Sequence, residues 1–268
     1  MSDGYHSRQS FLGEDLPEVL NRTRIAVVGV SGGGSHVVQQ TAHIGFQNQS
    51  LFDPDIIKDV NLHRHVGATR ADVEAQRPKV ELGERVIRNL WPAAEVRAFQ
   101  KRWQDAVEEL REVDLIFACL DGIRARLDLE ATARRYLIPL IDIGLGLNPV
   151  GKDGKLMSGQ VALSMPGGPC LRCMQLLTEQ ELADEAKHAG GYEGFGPAPQ
   201  VVWANGVLAS TAVGVAVDLL TGWNTLAHAK PSLRLQYVGN SCQVHPFRPS
   251  PWPDRRCDHY PEREVGDP

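Results

Sequence analysis

Unbroken apolar runs recur through the first half of the chain, and each is followed by a stretch with apolar positions three to four residues apart. IAVVG (25–29) reads as a buried strand and Gly34 to Ile44 as a helix, and SLFDPD (50–55) carries the end of the next strand. A helix starts near Pro78 and turns Val80, Leu82, Val86, Ile87 and Leu90 towards one side. EVRAF (95–99) is a strand, WQDAVEEL (103–110) a short helix, and DLIFACL (114–120) a fully apolar central strand. RARLDLEATARRYL (124–137) makes another helix and IPLIDIGLGL (138–147) another buried strand. Strands apolar on both faces that alternate with helices predict a Rossmann-like α/β fold, its mostly parallel sheet flanked by helices.

After Leu147 the pattern changes. NPVGKDGK is turn-rich and LMSGQVALSM (156–165) alternates, which predicts a hairpin and a C-terminal antiparallel extension of the sheet. A helix is expected around Leu176 to Lys187, a long apolar helix from near Val201, a late strand at LRLQYVG (233–239), and an irregular tail from Pro246. The expected unit is one domain over 1–268, with a nucleotide-binding half (1–147) and a second half (148–268).

Composition narrows the classes. The formal net charge of −5 carries no basic surplus, which argues against a nucleic-acid binder. Val201 to Leu220 is nearly long enough to span a bilayer, but it carries Asn205, Ser210, Thr211 and Asp218 and has no flanking basic clusters. A buried core helix is the expectation, with no membrane partner. The five cysteines are an odd number, and the first residues hold no apolar signal segment, so thiols in a reducing cytoplasm are expected.

The candidate chemistry begins at RIAVVGVSGGGSHVVQQ (24–40), a strand, glycine turn and helix start of the kind that admits a phosphate. Its register is imperfect, because Ser31 stands where the dinucleotide fingerprint has its second glycine. Asp53 ends the second strand; N-L-x-R follows at Asn61 to Arg64, and Arg-Pro-Lys at Arg77 to Lys79. ACLDG (118–122), PCLRC (169–173) and YHSRQ (5–9) complete a pattern that resembles the ThiF/MoeB/HesA family. That family is the bacterial branch of the ubiquitin-activating-enzyme-like adenylyltransferases.

The resemblance implies ATP-dependent adenylylation of the C-terminal carboxylate of a small ubiquitin-like or sulfur-carrier protein ending in glycine, by a homodimer. It implies that Arg64 and Lys79 neutralise the phosphates, that Asp121 holds Mg²⁺ on them, and that Asp53 takes the ribose. Gly32 would make a backbone nucleotide contact, Asn61 would lie in the contact segment, and Arg8 would reach the partner's site. Paired glycines in the crossover, within LADEAKHAGGYEGFGPAPQ (182–200), would line a channel for a slender tail. Simpler readings stand beside these: Arg64 and Lys79 as solvated charges, Asp121 as the cap of the following helix, Asp53 as an acid shared with NAD-dependent dehydrogenases. A non-catalytic scaffold and an NAD-dependent oxidoreductase are the alternative functions.

Cys170 and Cys173 form C-x-x-C on a Gly/Pro turn, half of a tetrahedral zinc site, although redox motifs share the spacing. The resemblance implies a second pair near the C-terminus. Cys257 supplies one ligand, Tyr260 occupies the expected fourth position, and His259 can substitute, so the expected zinc set is Cys170, Cys173, Cys257 and His259. Cys242 and His245 are other options. The crossover carries no cysteine and Cys119 reads as a buried small residue, so adenylylation is expected in preference to a thioester.

Overall fold

The computed structural model describes residues 4–187, 200–224, 233–247 and 257–260. Helix α1 (Leu16–Arg22) leads into β1 (Arg24–Val28), followed by α2 (Gly32–Ile44), β2 (Asn48–Phe52), α3 (Arg70–Glu74), α4 (Lys79–Leu90) and β3 (Glu95–Phe99). Then come β4 (Leu115–Ala118), α5 (Ile123–Arg135), β5 (Leu140–Val150), β6 (Gly154–Ser164) and α6 (Glu179–Lys187). Helix α7 (Val202–Thr221) and strands β7 (Arg234–Val238) and β8 (Gln243–Pro246) complete the order.

The eight strands form one sheet in the order β3-β2-β1-β4-β5-β6-β7-β8. The first five are parallel and the last three add antiparallel, as the patterning predicts. Period-two alternation assigns the strand residues to two cores. Ile25, Val27, Phe117 and Ile141 pack with Val37, Val38 and Leu208 on one face, and Ala26, Val28, Ile116 and Leu140 pack with Trp103 and Leu129 on the other. Each fully buried Ile, Leu or Phe contributes about 1.5–3 kcal/mol. Helix α7 has the length and apolarity to cross a bilayer, yet Ala204, Leu208, Ala212 and Ala216 are buried in the first core.

Several boundaries differ from expectation. Helix α2 begins at Gly32, not Gly34. Helix α6 begins at Glu179 because Thr178 and Glu181 form a capping box, with Thr178 N–H donating to Glu181 (2.9 Å) and Glu181 N–H to the Thr178 hydroxyl (3.2 Å). Residues Trp103–Glu112 form a 3₁₀ helix broken at Ala106. The short strand β8 was not legible; its exposed side chains carry no apolar alternation. β5 and β6 pair from Leu140↔Ser164 to Val150↔Gly154, whereas β4 stops at Ala118, opposite Asp142.

Candidate active site

Strand order reverses between β1 and β4, and in an open α/β sheet that opens a crevice at the strands' carboxyl ends. The glycine turn fills one wall. Gly29 has φ +90°, and a Cβ on Gly34 would stand 1.8 Å from the Gly29 carbonyl oxygen, so these two positions admit only glycine. Ser31 has φ −104°, which any residue adopts, and that explains why the middle glycine is dispensable. The first N–H groups of α2 open towards the crevice. The Val30 peptide is clamped on both sides: its N–H donates to Asp53 Oδ2 (2.8 Å), and His65 Nε2–H donates to its carbonyl (3.0 Å).

Asp53, Asn61, Arg64, Lys79 and Asp121 line one cavity of ≈ 400 Å³ together with Ser31. Lys79 is 5% exposed and lies 2.7 Å from Asp55 Oδ2 and 3.7 Å from Asp53 Oδ1, so it is not a solvated charge. Asp53 is buried, and burial raises its carboxyl above the usual range against the pull of Lys79 and two backbone N–H groups. Asn61 Oδ1 accepts the Lys58 N–H at 3.0 Å and fixes the loop that carries Arg64. The Arg64 guanidinium donates to the Val60 carbonyl (3.1 Å), while its buried Nε has no partner among the described residues.

Asp121 is not a helix cap. The first N–H groups of α5, on Ile123 and Arg124, donate to Glu185 Oε1 (3.0 Å) and Oε2 (2.8 Å) from α6. Asp121 instead accepts from Gln200 Nε2 (3.1 Å) at the cavity; desolvation raises its carboxyl, opposed first by Arg64. Gly32 lines a neighbouring cavity of ≈ 260 Å³ that shares Asp121. Arg8 is exposed on the N-terminal 3₁₀ turn and lines neither cavity. The crossover glycines fall within 188–199, outside the described residues.

A second cluster forms at the C-x-x-C turn. The ligand atoms of Cys170, Cys173, Cys257 and His259 all lie within 4.8 Å of one another. Cys170–Cys173 and Cys173–Cys257 sulfurs are 3.6 and 3.5 Å apart, and His259 Nδ1 is 3.4, 3.4 and 3.7 Å from the three thiols. A zinc tetrahedron with bonds of about 2.3 Å to sulfur and about 2.0–2.1 Å to nitrogen has edges of about 3.8 and 3.5 Å, so the donor set fits. Cys242 sits elsewhere, exposed in the β7–β8 turn. Behind the cluster, buried Glu130 accepts the Leu171 N–H (2.8 Å), the Ser164 hydroxyl (2.5 Å) and the Tyr260 hydroxyl (3.0 Å), and Arg134 lies 5.0 Å from the Tyr260 ring. Cys119 is packed by β4, its thiol pushed well up by burial and by Asp142 and Asp121.

Comparison with known proteins decides the lineage: the ThiF family matches residues 6–258. The chain belongs to the ThiF family. It is 27% identical over 238 residues to the molybdopterin-synthase adenylyltransferase of Escherichia coli, covering 87% of this chain and 86% of that protein. It is 27% identical over 224 residues to the adenylyltransferase and sulfurtransferase UBA4 of Eremothecium gossypii, covering 82% of this chain but only 46% of that longer protein. The E. coli MccB structure with ATP shares the fold, with a TM-score of 0.71 at 18% identity over 92% of this chain and 72% of that one.

Within this ThiF-family fold, four contributors escaped the sequence reading. His65 had a local signal, being adjacent to Arg64. Glu185, Gln200 and Asn205 had none, because they reach the site from α6, from the residue before α7's lead-in, and from the first turns of α7.

Proposed function

We propose that this ThiF-family chain is an ATP-dependent adenylyltransferase, acting in the cytoplasm as a homodimer on the C-terminal carboxylate of a small ubiquitin-like or sulfur-carrier protein. The observation that carries this reading is the gathering of Arg64, Lys79, Asp53 and Asp121, which are far apart in sequence, around one cavity beside the first turn of α2. In the reaction a carboxylate oxygen bonds to the α-phosphorus of ATP as the bond to the pyrophosphate oxygen breaks, giving an acyl adenylate and pyrophosphate. Charge builds on phosphate oxygens, and pre-positioned cations and helix N–H groups stabilise it without reorganising. Lys79 and Arg64 serve as those cations, Asp53 receives the ribose, and Asn61 keeps the Arg64 loop in place. Asp121, spared from capping duty, is the carboxylate that would hold Mg²⁺, which supplies further neutralisation of the phosphates. Arg8, remote from the cavity of its own chain, is assigned to the partner's cavity across the dimer. Zinc on Cys170, Cys173, Cys257 and His259 would be structural, since four protein ligands leave no open position.

ATP–pyrophosphate exchange, measured with small Gly-Gly-ending proteins of the same genome, tests the assignment. Lys79→Ala and Asp121→Ala should each reduce exchange about 10²–10³-fold, equivalent to about 2.7–4 kcal/mol. Undiminished exchange in both variants overturns the site. Thermal stabilisation by NAD in place of ATP·Mg would assign the cavity to the oxidoreductase reading, and ATP·Mg binding without exchange to the scaffold reading.

A further inference from the structure

Two carboxamides reach the start of α2 from one short segment, Gln200 just before α7 and Asn205 in its first turns. Gln200 is well supplied with partners. Its Nε2 donates to Asp121 Oδ1 (3.1 Å), and its backbone carbonyl lies 3.3 Å from His63 Nε2, beside Arg64. Asn205 is not: it is 4% exposed, and its buried Nδ2 donor has no partner among the described residues. Its neighbours on the inner face of the helix, Ala204, Leu208, Ala209 and Ala212, are apolar and buried.

An apolar core gains nothing from such a group. Leucine has the same branched heavy-atom skeleton and buries with no polar atom left over, whereas a donor without an acceptor is costly. The position of the nitrogen says which acceptor would remove that cost. It stands 2.6 Å from the Cβ position of Gly32, as does Gln200 Oε1, so only glycine fits there. Gly32 is the first residue of α2, where the leading N–H groups have no partner inside the helix and attract anionic oxygen. Asn205 adds a side-chain donor to that backbone set.

Asp53 fixes which oxygen arrives. Its Oδ2 already holds the Val30 N–H at 2.8 Å, so a ribose on Asp53 is anchored beside Val30. The 5′-phosphate is the first group along the nucleotide from that ribose, and Ser31, Gly32 and Gly33 are the next residues along the turn. Ser31 lines both cavities, of ≈ 400 and ≈ 260 Å³, while Gly32, Gly33 and Asn205 line the second. The α-phosphate therefore falls at the junction, over Gly32.

We propose that Asn205 is a further catalytic residue: its Nδ2–H donates to a non-bridging oxygen of the α-phosphate, which takes the place of the Gln200 carboxamide oxygen over Gly32. This rests on the adenylyltransferase reading and adds a donor at its reacting centre. As the carboxylate oxygen bonds to the α-phosphorus and the bond to pyrophosphate breaks, charge gathers on the non-bridging oxygens. A donor held by burial on a core helix meets that charge without reorganising. The same displacement frees Asp121 Oδ1 from Gln200 Nε2.

The probes are AMP and adenosine, which differ by the α-phosphate alone, titrated by calorimetry into the full chain. Asn205→Leu keeps the branched shape and deletes the donor; Asn205→Ala gives the same comparison if the leucine does not fold. AMP affinity should fall at least about tenfold, a difference of about 1.4 kcal/mol, while adenosine affinity stays unchanged. The denaturation midpoint should not fall in Asn205→Leu, because an unpaired donor has left the core. Pyrophosphate exchange should fall about 10²-fold, more than AMP affinity does, because the charge on that oxygen grows in the transition state. Unchanged AMP affinity in a folded variant, equal losses for AMP and adenosine, or exchange that falls no further than AMP affinity overturns the proposal. So does a midpoint that drops while nucleotide affinities hold, which would make Asn205 a packing residue. Selective loss of AMP binding in a chain that exchanges no pyrophosphate would defeat the enzymatic reading and leave the α-phosphate contact standing. Normal exchange by the wild type and by Asn205→Leu alike would defeat the Asn205 assignment alone.

Discussion

The glycine turn and the Cys–His cluster are the two short loops on which the proposed reading depends, and they are fixed by different means. The turn is fixed by close backbone packing and hydrogen bonds that the chain itself supplies, with Gly34 stacked on Gly29, Gly29 on the Cys119 carbonyl, and the Val30 backbone held by Asp53 and His65. The cluster joins side chains 84 to 89 residues apart, and residues 257–260 meet the domain through it and through Tyr260. The first is held by contacts within the chain, while the second would gain its rigidity from an ion that its four donors fit. Substitution inside the turn is therefore the harshest way to break the contrast. Gly34→Ala drives a methyl into the Gly29 carbonyl, which belongs to backbone and cannot rotate away; the expected loss is more than about 3 kcal/mol. Gly33→Ala, with only Ile143 Cγ2 at 3.9 Å from its Cβ, should change stability by less than about 0.5 kcal/mol. Denaturant titration of the pair decides it, and equal losses would mean that the turn is not close-packed.

His65 sharpens the comparison through pH. Burial, with Lys79 and His36 adding repulsion, holds its imidazole down to about 4 from an ordinary value near 6.5. The unfolded chain therefore takes up this proton first as pH falls, so stability is complete above pH 6.5 and is lost on the way down to about pH 4. The full loss is about 3 kcal/mol at 1.36 kcal/mol per pH unit. His65→Gln retains an amide donor for the Val30 carbonyl and cannot titrate, so its denaturation midpoint should be flatter over that interval. Parallel profiles for the two proteins would remove His65 from the clamp.

The same contrast explains what the sequence made legible. The parallel half was readable because Ile25 to Val28 and Leu115 to Ala118 bury both faces, and an unbroken apolar run carries that information locally. The cluster was readable only through the family resemblance, which asks for a second pair near the C-terminus; C-x-x-C alone is shared with redox motifs, and the structure brings Cys257 and His259 to it. Glu185 was not readable: a glutamate in an exposed-looking acidic helix gives no hint that it caps α5 from another element. Nor was the cavity of ≈ 260 Å³ beside β5, because where β4 stops relative to β5 is a matter of register, which no periodicity encodes. Arg126 and Asp142 form a buried ion pair within the same region, and only packing brings together two charges sixteen residues apart.

The mildest test falls on the distant cluster. Tyr260→Phe keeps the ring over Arg134 and deletes only the hydroxyl that donates to Glu130 Oε2. Glu130 is fully buried and its carboxyl is already raised by desolvation, so losing one of its hydrogen bonds should cost about 1–2 kcal/mol. Glu130 also receives the Leu171 N–H, between the candidate ligands Cys170 and Cys173, so the loosened carboxylate should let the C-x-x-C turn drift. Outer partners of this kind are worth about 10–100-fold in metal affinity, and the lower end is expected because the ligands themselves are untouched. Zinc competition against a chromophoric chelator reads that term, and ATP affinity, which the proposed function assigns to the turn, should stay at the wild-type value. A stability loss without any change in zinc affinity would make Tyr260 a packing residue of the α5 surface. A fall in ATP affinity alongside zinc affinity would mean instead that the turn and the cluster are coupled along α5, whose first turn Glu185 caps and whose middle carries Glu130.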